Sequence, residues 1–130
     1  MRELAKDKNL FISSGFLMNP NTKALKELAK DEDDGVRGRV ASSPNTPVEV
    51  LRELAKDKDR VVRAVVAGNS NTPVEVLREL AKDEDWGVRG VVAGNSNTPV
   101  EVLRELMKDK DVRKFVNNVK KIAPPQDSDN

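Results

Sequence analysis

The sequence NTPVEVLRELAKD at Asn45–Asp57 returns unchanged at Asn71–Asp83, and its first ten residues return once more at Asn97–Leu106. The spacing between copies is 26 residues each time. A fixed period of this length is typical of repeat proteins, in which each copy is one small supersecondary unit. The repeat therefore decides the fold, and the rest of the chain is read outward from it.

The whole chain divides into five copies of the repeat and a short tail. The two inner copies differ from each other at only four positions, whereas the outer copies are less regular. The tail at 124–130 is polar and begins with two prolines, which predicts disorder. We expect a single repeat domain over residues 1–123, with copies at about 1–20, 21–44, 45–70, 71–96 and 97–121.

Each copy is predicted to form two helices joined by a polar turn. Along Val48–Asp57 the apolar residues recur at helical spacing, with charged residues on the opposite face. The preceding Thr46–Glu49 has the pattern of a capping box, which predicts that Thr46 is the N-cap. A second apolar segment at Val61–Ala67 predicts a shorter helix. Its valines also suit a strand, but no hairpin turn flanks them, so a helix is favoured.

A unit of two short helices cannot bury both of its apolar faces by itself. Stacking the units side by side gives one continuous core. The sequence therefore predicts an all-α solenoid of five two-helix repeats of about 24–26 residues, without a β-sheet.

The run LAKDEDWGVRGVVAGNSNTPVEVL at Leu80–Leu103 resembles the leucine-rich repeat variant motif, and the likeness recurs over residues 4–118. This resemblance implies a HEAT- or armadillo-like solenoid, a right-handed superhelix in which α-helices alternate with 3₁₀ helices. The period of 26 exceeds the usual unit of the family, which predicts a longer first helix. Some members of the family hold an iron–sulfur cluster on cysteines. Because this chain has no cysteine, we expect no cofactor.

Composition argues against most kinds of catalytic and metal site. The chain has 23 Lys and Arg against 22 Asp and Glu, and it contains neither His nor Cys. The commonest general base and the commonest metal ligands are therefore missing. No apolar run is long enough to span a membrane. We predict a cytoplasmic protein that is not an enzyme and has no catalytic residues, no metal site and no membrane contact.

An arginine recurs at one position of the second helix, always four residues after an aspartate. One hypothesis is a basic ladder that follows nucleic-acid phosphates, helped by the last copy, 97–121, with its seven cations and four acids. The other is a structural ladder that ties neighbouring repeats together, which the i,i+4 spacing favours over nucleic-acid binding. The residues concerned are Asp33 and Arg37, Asp59 and Arg63, and Asp85 and Arg89.

Positions that differ between near-identical copies are free to be adapted to a ligand. Trp86 is the only tryptophan, and it stands where the other copies have Arg60 and Asp34. Tryptophan is enriched in binding hot spots, although neutral drift at an exposed turn also explains the difference. The predicted function is a non-enzymatic protein–protein interaction module, an adaptor or scaffold. The predicted contact residues are Trp86, Arg60 and Asp34, then the repeated outer residues Glu49, Glu75 and Glu101.

The N-terminal copy is unusually apolar. Bulky residues there fill the end of the core in one interpretation, and form a self-association surface in the other. The second interpretation predicts a homodimer or a larger assembly. The residues that would carry it are Phe11, Phe16, Leu17 and Met18.

Overall fold

The computed structural model describes residues 22–120, with side chains as far as residue 116. Over this range the chain forms eight helices and no strand, which confirms the predicted all-α repeat fold. The first helices of the four pairs are α1 (Thr22–Leu28), α3 (Val48–Leu54), α5 (Val74–Leu80) and α7 (Val100–Leu106). The second helices are α2 (Asp34–Ser42), α4 (Arg60–Gly68), α6 (Trp86–Gly94) and α8 (Lys110–Lys120).

Two of the sequence predictions concern parts of the chain outside this range. The self-association residues Phe11, Phe16, Leu17 and Met18 precede it, and the tail at 124–130 follows it. Both predictions therefore stay predictions.

The lengths of the helices correct one expectation from the sequence. Each first helix has seven residues, whereas α2, α4 and α6 have nine, so the prediction that the second helix is the shorter one is wrong. The expectation of a first helix longer than the usual one of the family stays a prediction. Both helices of every described pair are α-helical, and tight i→i+3 bonds occur at helix ends, such as Val50 N to Pro47 O, and in turns, such as Lys56 N to Glu53 O. After the first helix, the Asp57 carboxylate accepts the Asp59 amide at 2.9 Å within the turn to the second helix.

The threonine that opens each copy has a different role from the predicted one. Helix α3 begins at Val48, and no side chain caps it. The buried Thr46 hydroxyl instead donates to the carbonyl of Val40, at the end of the preceding helix. Thr72 and Thr98 do the same to Val66 and Val92, at 2.6 and 2.7 Å. The prediction of a capping box is therefore wrong, because the hydroxyl satisfies a carbonyl of the preceding helix C-terminus.

The core lies between a row of first helices and a row of second helices. Leucines of the first row, such as Leu51 and Leu77, are fully buried against valines of the second row, such as Val66 and Val92. The closest backbone contacts between repeats run through the second row, from α2 to α4 to α6 to α8. Small and β-branched side chains permit this close packing. The second row is therefore the side on which the repeats stand nearest to each other.

A column of buried asparagines crosses the repeat boundaries at the end of the second helices. The Asn69 side-chain amide donates to the carbonyls of Ala41 and Ser43, at 2.7 and 3.0 Å. Asn95 donates in the same way to Ala67 and Asn69. Because these carbonyls belong to the preceding repeat, each asparagine satisfies buried backbone groups of its neighbour.

Replacing Thr72 by valine tests the corrected role of the threonine. The variant keeps the shape of the side chain but leaves the Val66 carbonyl without its buried donor. We expect a loss of about 1–2 kcal/mol in the free energy of unfolding, measured by urea denaturation. The control is Thr22→Val at the exposed start of α1, which should be nearly neutral. Equal losses in the two variants would contradict the assignment.

Candidate partner-binding site

The predicted contact residues Asp34, Arg60 and Trp86 are the first residues of α2, α4 and α6. All three are exposed, and Trp86 retains 48% of its accessible surface. They therefore occupy one structural position in three successive repeats. We call this line of helix starts the variable edge.

The variable-edge residues Asp34 and Arg60 each reach the aspartate that precedes the second helix of the next repeat. The Arg60 guanidinium lies 3.8 Å from the Asp85 carboxylate. The neighbouring Asp59 carboxylate, through hydrogen bonding to the protonated form and through its negative charge, raises the pKa of the Asp34 carboxyl above its usual value. The edge thus changes from two carboxylates to a cation beside a carboxylate and then to an indole.

Sequence reasoning missed Val61, which extends the variable edge. It follows Arg60 in α4 and is 60% exposed, the most exposed large apolar side chain of the described residues. A glycine, Gly87, takes its place beside Trp86. The signal was available, because these positions are two of the four at which the inner copies differ.

The aspartates that precede the second helices act as N-caps. Asp33 accepts the amide of Gly35 at 2.8 Å, Asp59 accepts that of Val61 at 2.9 Å, and Asp85 accepts that of Val88 at 3.2 Å. These bonds satisfy amides that have no partner within the helix. The prediction that the same aspartates pair with Arg37, Arg63 and Arg89 needs correction, because other aspartates hold those arginines.

Each ladder arginine binds an aspartate twenty residues later, in the next repeat. Arg37 donates to both carboxylate oxygens of Asp57 at 2.7 and 3.0 Å. Arg63 binds Asp83 in the same way, at 2.8 and 3.1 Å. The third pair is Arg89 and Asp109, with its closest contact at 2.8 Å.

The same arginines also bind the backbone of their own repeat. Arg37 donates to the carbonyl of Asp31 at 2.8 Å, and Arg63 donates to that of Asp57 at 2.8 Å. The side chains of Arg37 and Asp57 are each only 8% exposed. These guanidinium groups thus join repeats and close turns, which leaves little of them to meet a phosphate.

The predicted outer residues Glu49, Glu75 and Glu101 form a second, exposed row of ion pairs. Each binds a cation of the preceding repeat, and Arg78 meets Glu101 at 2.8 Å. The hydrogen bond from Arg52 lowers the pKa of the Glu75 carboxyl. The complete row is Lys26 with Glu49, Arg52 with Glu75, and Arg78 with Glu101.

A cleft of about 410 Å³ lies between α5 and α7. Its charged walls include one ion pair of the exposed row, Arg78 with Glu101, and one of the arginine ladder, Arg89 with Asp109. Within residues 22–120, no group of three or more acidic, His or Cys side chains is placed to hold a metal ion. None of the helices in that range is both long and apolar enough to cross a membrane.

The comparison with family models assigns the repeat. Residues 60–85, from the start of α4 to the N-cap of α6, match the model described as Leucine rich repeat variant. The repeat at residues 60–85 is a leucine rich repeat variant. The match spans one full period, a second helix and the first helix that follows it, and this repeat family is a non-catalytic module. Searches of curated proteins and of solved structures gave no match.

The buried arginine ladder should dominate the electrostatic stability of the array. We expect Arg63→Met to lower the free energy of unfolding by about 3 kcal/mol, because the Asp83 carboxylate loses its partner. The matched control is Arg52→Met in the exposed row, which should be nearly neutral, since exposed ion pairs contribute little. Denaturant unfolding of both variants gives the measurement. A larger loss for Arg52→Met would refute the ranking.

Stability should also fall in acid. Burial raises the pKa of the Asp57 carboxyl, but the bonds from Arg37 and the Asp59 amide outweigh it, and the net pKa lies below the ordinary 3.8. The folded state therefore binds the proton less readily than the unfolded state. Stability from this group is present above pH 3.8 and is lost as the pH falls further.

The variant that tests this pH dependence is Arg37→Met. It is less stable at neutral pH, but it should lose less additional stability between about pH 5 and pH 2, because the pKa of Asp57 is no longer depressed by the guanidinium. Thermal unfolding across that range measures the slope. Parallel slopes in the variant and the unmodified chain would contradict the assignment.

Proposed function

We propose that this chain is a non-enzymatic protein-interaction module, an adaptor or scaffold whose partner docks on the variable edge. The repeat family supports the general class, since solenoids offer extended surfaces built from equivalent positions. The choice of edge is supported by exposure and by variation, which coincide there and nowhere else along the second helices of the two inner copies.

The single observation that carries the proposal is Trp86. A large indole is about half exposed at the start of α6, in a repeat whose equivalent residues are Arg60 and Asp34. Burying such a side chain in an interface would remove a large apolar area from water. Tryptophan and arginine are also the residues most enriched in binding hot spots.

The neighbouring side chains suggest the chemistry of the partner. Val61 adds apolar surface, Arg60 offers a cation that is 72% exposed, and Asp34 offers a carboxyl group. A mixed surface of this kind suits a polypeptide that presents an apolar side chain beside an acidic one. The Asp34 end of the edge would favour a basic group.

The alternative of nucleic-acid binding has weaker support. The arginines that would form a phosphate ladder are engaged with Asp57, Asp83 and Asp109. The variable edge itself mixes acids with its cation. Protein binding therefore accounts better for the arrangement.

The proposal can be tested by selecting binders from a displayed peptide library against the unmodified chain. We expect Trp86→Ala to raise the dissociation constant of the selected peptides about tenfold or more, because the central apolar contact is lost. Blue-shifted Trp86 fluorescence on binding gives an independent readout of burial at the edge.

A matched control removes apolar surface from the other side of the array. Val74→Ala in α5 alters a valine that is 40% exposed but lies away from the variable edge, so it should leave affinity unchanged. Peptides that bind Trp86→Ala as tightly as the unmodified chain would exclude this edge. Tight, salt-sensitive binding of single-stranded RNA or duplex DNA in place of peptides would support the nucleic-acid alternative.

A further inference from the structure

The last ladder arginine of the described chain is Arg113 in α8. Its amide donates to Asp109 O at 2.9 Å, and its guanidinium donates to the carbonyl six residues earlier, Met107 O, at 3.2 Å. Arg89 makes both of these bonds at its own position in α6. Arg113 is therefore the fourth member of the ladder, held in the same way by its own repeat.

Arg113 differs from the other three ladder arginines on its outward side. Arg37, Arg63 and Arg89 each hold an aspartate of the next repeat, whereas Arg113 is exposed and has no carboxylate partner within residues 22–120. The exposed row of ion pairs ends in the same way. Arg104 occupies the repeat position of Lys26, Arg52 and Arg78, but it has no ion pair in the described part of the chain.

Apolar residues of the last pair are also more exposed than their counterparts. Val100 is 59% exposed, against 38% and 40% for Val48 and Val74. Leu103 is only half-buried, although Leu51 and Leu77 are fully buried. Val116 in α8 is likewise half-buried, whereas the equivalent valines of α2, α4 and α6 are fully buried. These are the areas that a following repeat covers elsewhere.

Residues 114–130, KFVNNVKKIAPPQDSDN, contain no further copy of the NTPVEVLREL string. We call the surface formed by Val100, Leu103, Arg104, Arg113 and Val116 the terminal surface. Among the described residues, it combines two arginines that have no carboxylate partner with apolar side chains that are exposed or half-buried.

We propose that the terminal surface binds a segment of a partner protein that consists of an acidic, amphipathic two-turn helix and the turn that follows it, in the place of a next repeat. The interior boundaries define the required chemistry. There the two acids that receive the arginines stand eight residues apart, as Glu75 and Asp83 or as Glu101 and Asp109, with buried valine and leucine between them. The fitting partner carries Glu in the first turn of its helix, Val and Leu on the buried face, and Asp in the turn after the helix, eight residues from the Glu.

The two arginines suit acidic side chains, and the apolar residues beside them suit Val and Leu, so a polypeptide is the ligand that this surface favours. The proposal does not rest on the variable edge, because the two surfaces share no residue. Loss of binding at one would leave the other unaffected.

The probe for this proposal is a peptide with the sequence of residues 71–85, NTPVEVLRELAKDED, with its helix held by a staple between positions 74 and 78, so that the turn at position 83 stays free. Both positions are exposed in the intact repeat. We expect the labelled peptide to bind the full chain in fluorescence anisotropy. The double variant Arg104→Gln and Arg113→Gln should weaken it about tenfold or more, because two charge-assisted contacts are lost.

Matched controls separate recognition from net charge and from misfolding. Lys30→Gln with Lys56→Gln removes the same charge from exposed sites elsewhere and should leave the affinity unchanged. A peptide with Glu→Gln and Asp→Asn at the positions of Glu75 and Asp83 should bind about tenfold more weakly to the unmodified chain. Circular dichroism of each chain variant confirms that it is folded.

Several outcomes would overturn the proposal. Undetectable binding of the stapled peptide, or equal affinity for the acidic and amide peptides, would exclude an acidic helix and turn as the ligand. Concentration-dependent dimerisation in sedimentation velocity that Arg113→Gln abolishes would make a second copy of this chain the occupant. A 15-nucleotide RNA that displaces the peptide and loses affinity with Arg113→Gln would make the surface a phosphate site.

Discussion

Every boundary between described repeats depends on one arginine that touches both sides of it. Arg63 donates to the turn carbonyl of Asp57 in its own repeat and to the carboxylate of Asp83 in the next. That carboxylate accepts the amide of Asp85, which caps the next helix. Because a buried guanidinium or carboxylate is costly to leave unpaired, one repeat cannot slide along the other without breaking the whole set.

The arginine ladder fixes the register of the stack, and the apolar core supplies most of its stability. A fully buried leucine or valine contributes about 1.5–3 kcal/mol, and every interior repeat buries several of them. A buried ion pair gains little in net free energy over an apolar pair of the same volume. The ladder is therefore important because it excludes other arrangements of near-identical units, which the apolar contacts alone would tolerate. The asparagine column adds the same kind of constraint at the other end of the second helices.

Local rules predicted the elements of this fold, but they could not predict the contacts between repeats. The two-helix unit follows from patterns within a few residues. The role of Thr46 does not, because its donor and the Val40 carbonyl meet only after the chain has turned. The partner of Arg37 was ambiguous for a deeper reason. Asp31 and Asp57 occupy the same repeat position, and Arg37 binds the carbonyl of the first and the carboxylate of the second. A periodic sequence does not indicate whether a side chain pairs with a residue of its own copy or with the equivalent residue of the next copy.

The differences between the two inner copies separate packing from surface chemistry. Gly90 replaces Ala64 where Phe115 of α8 packs, and a Cβ there would come within 3.0 Å of the Phe115 ring. The change from alanine to glycine is therefore explained by packing inside the array and not by surface chemistry. The exchange of Arg60 and Val61 for Trp86 and Gly87 alters exposed helix starts and disturbs no buried contact between repeats. The ladder makes this freedom possible, since it holds each helix start in place through Asp59 and Asp85, whatever residue follows them. A scaffold of this kind can change the chemistry of its edge one repeat at a time, as a modular binding surface requires.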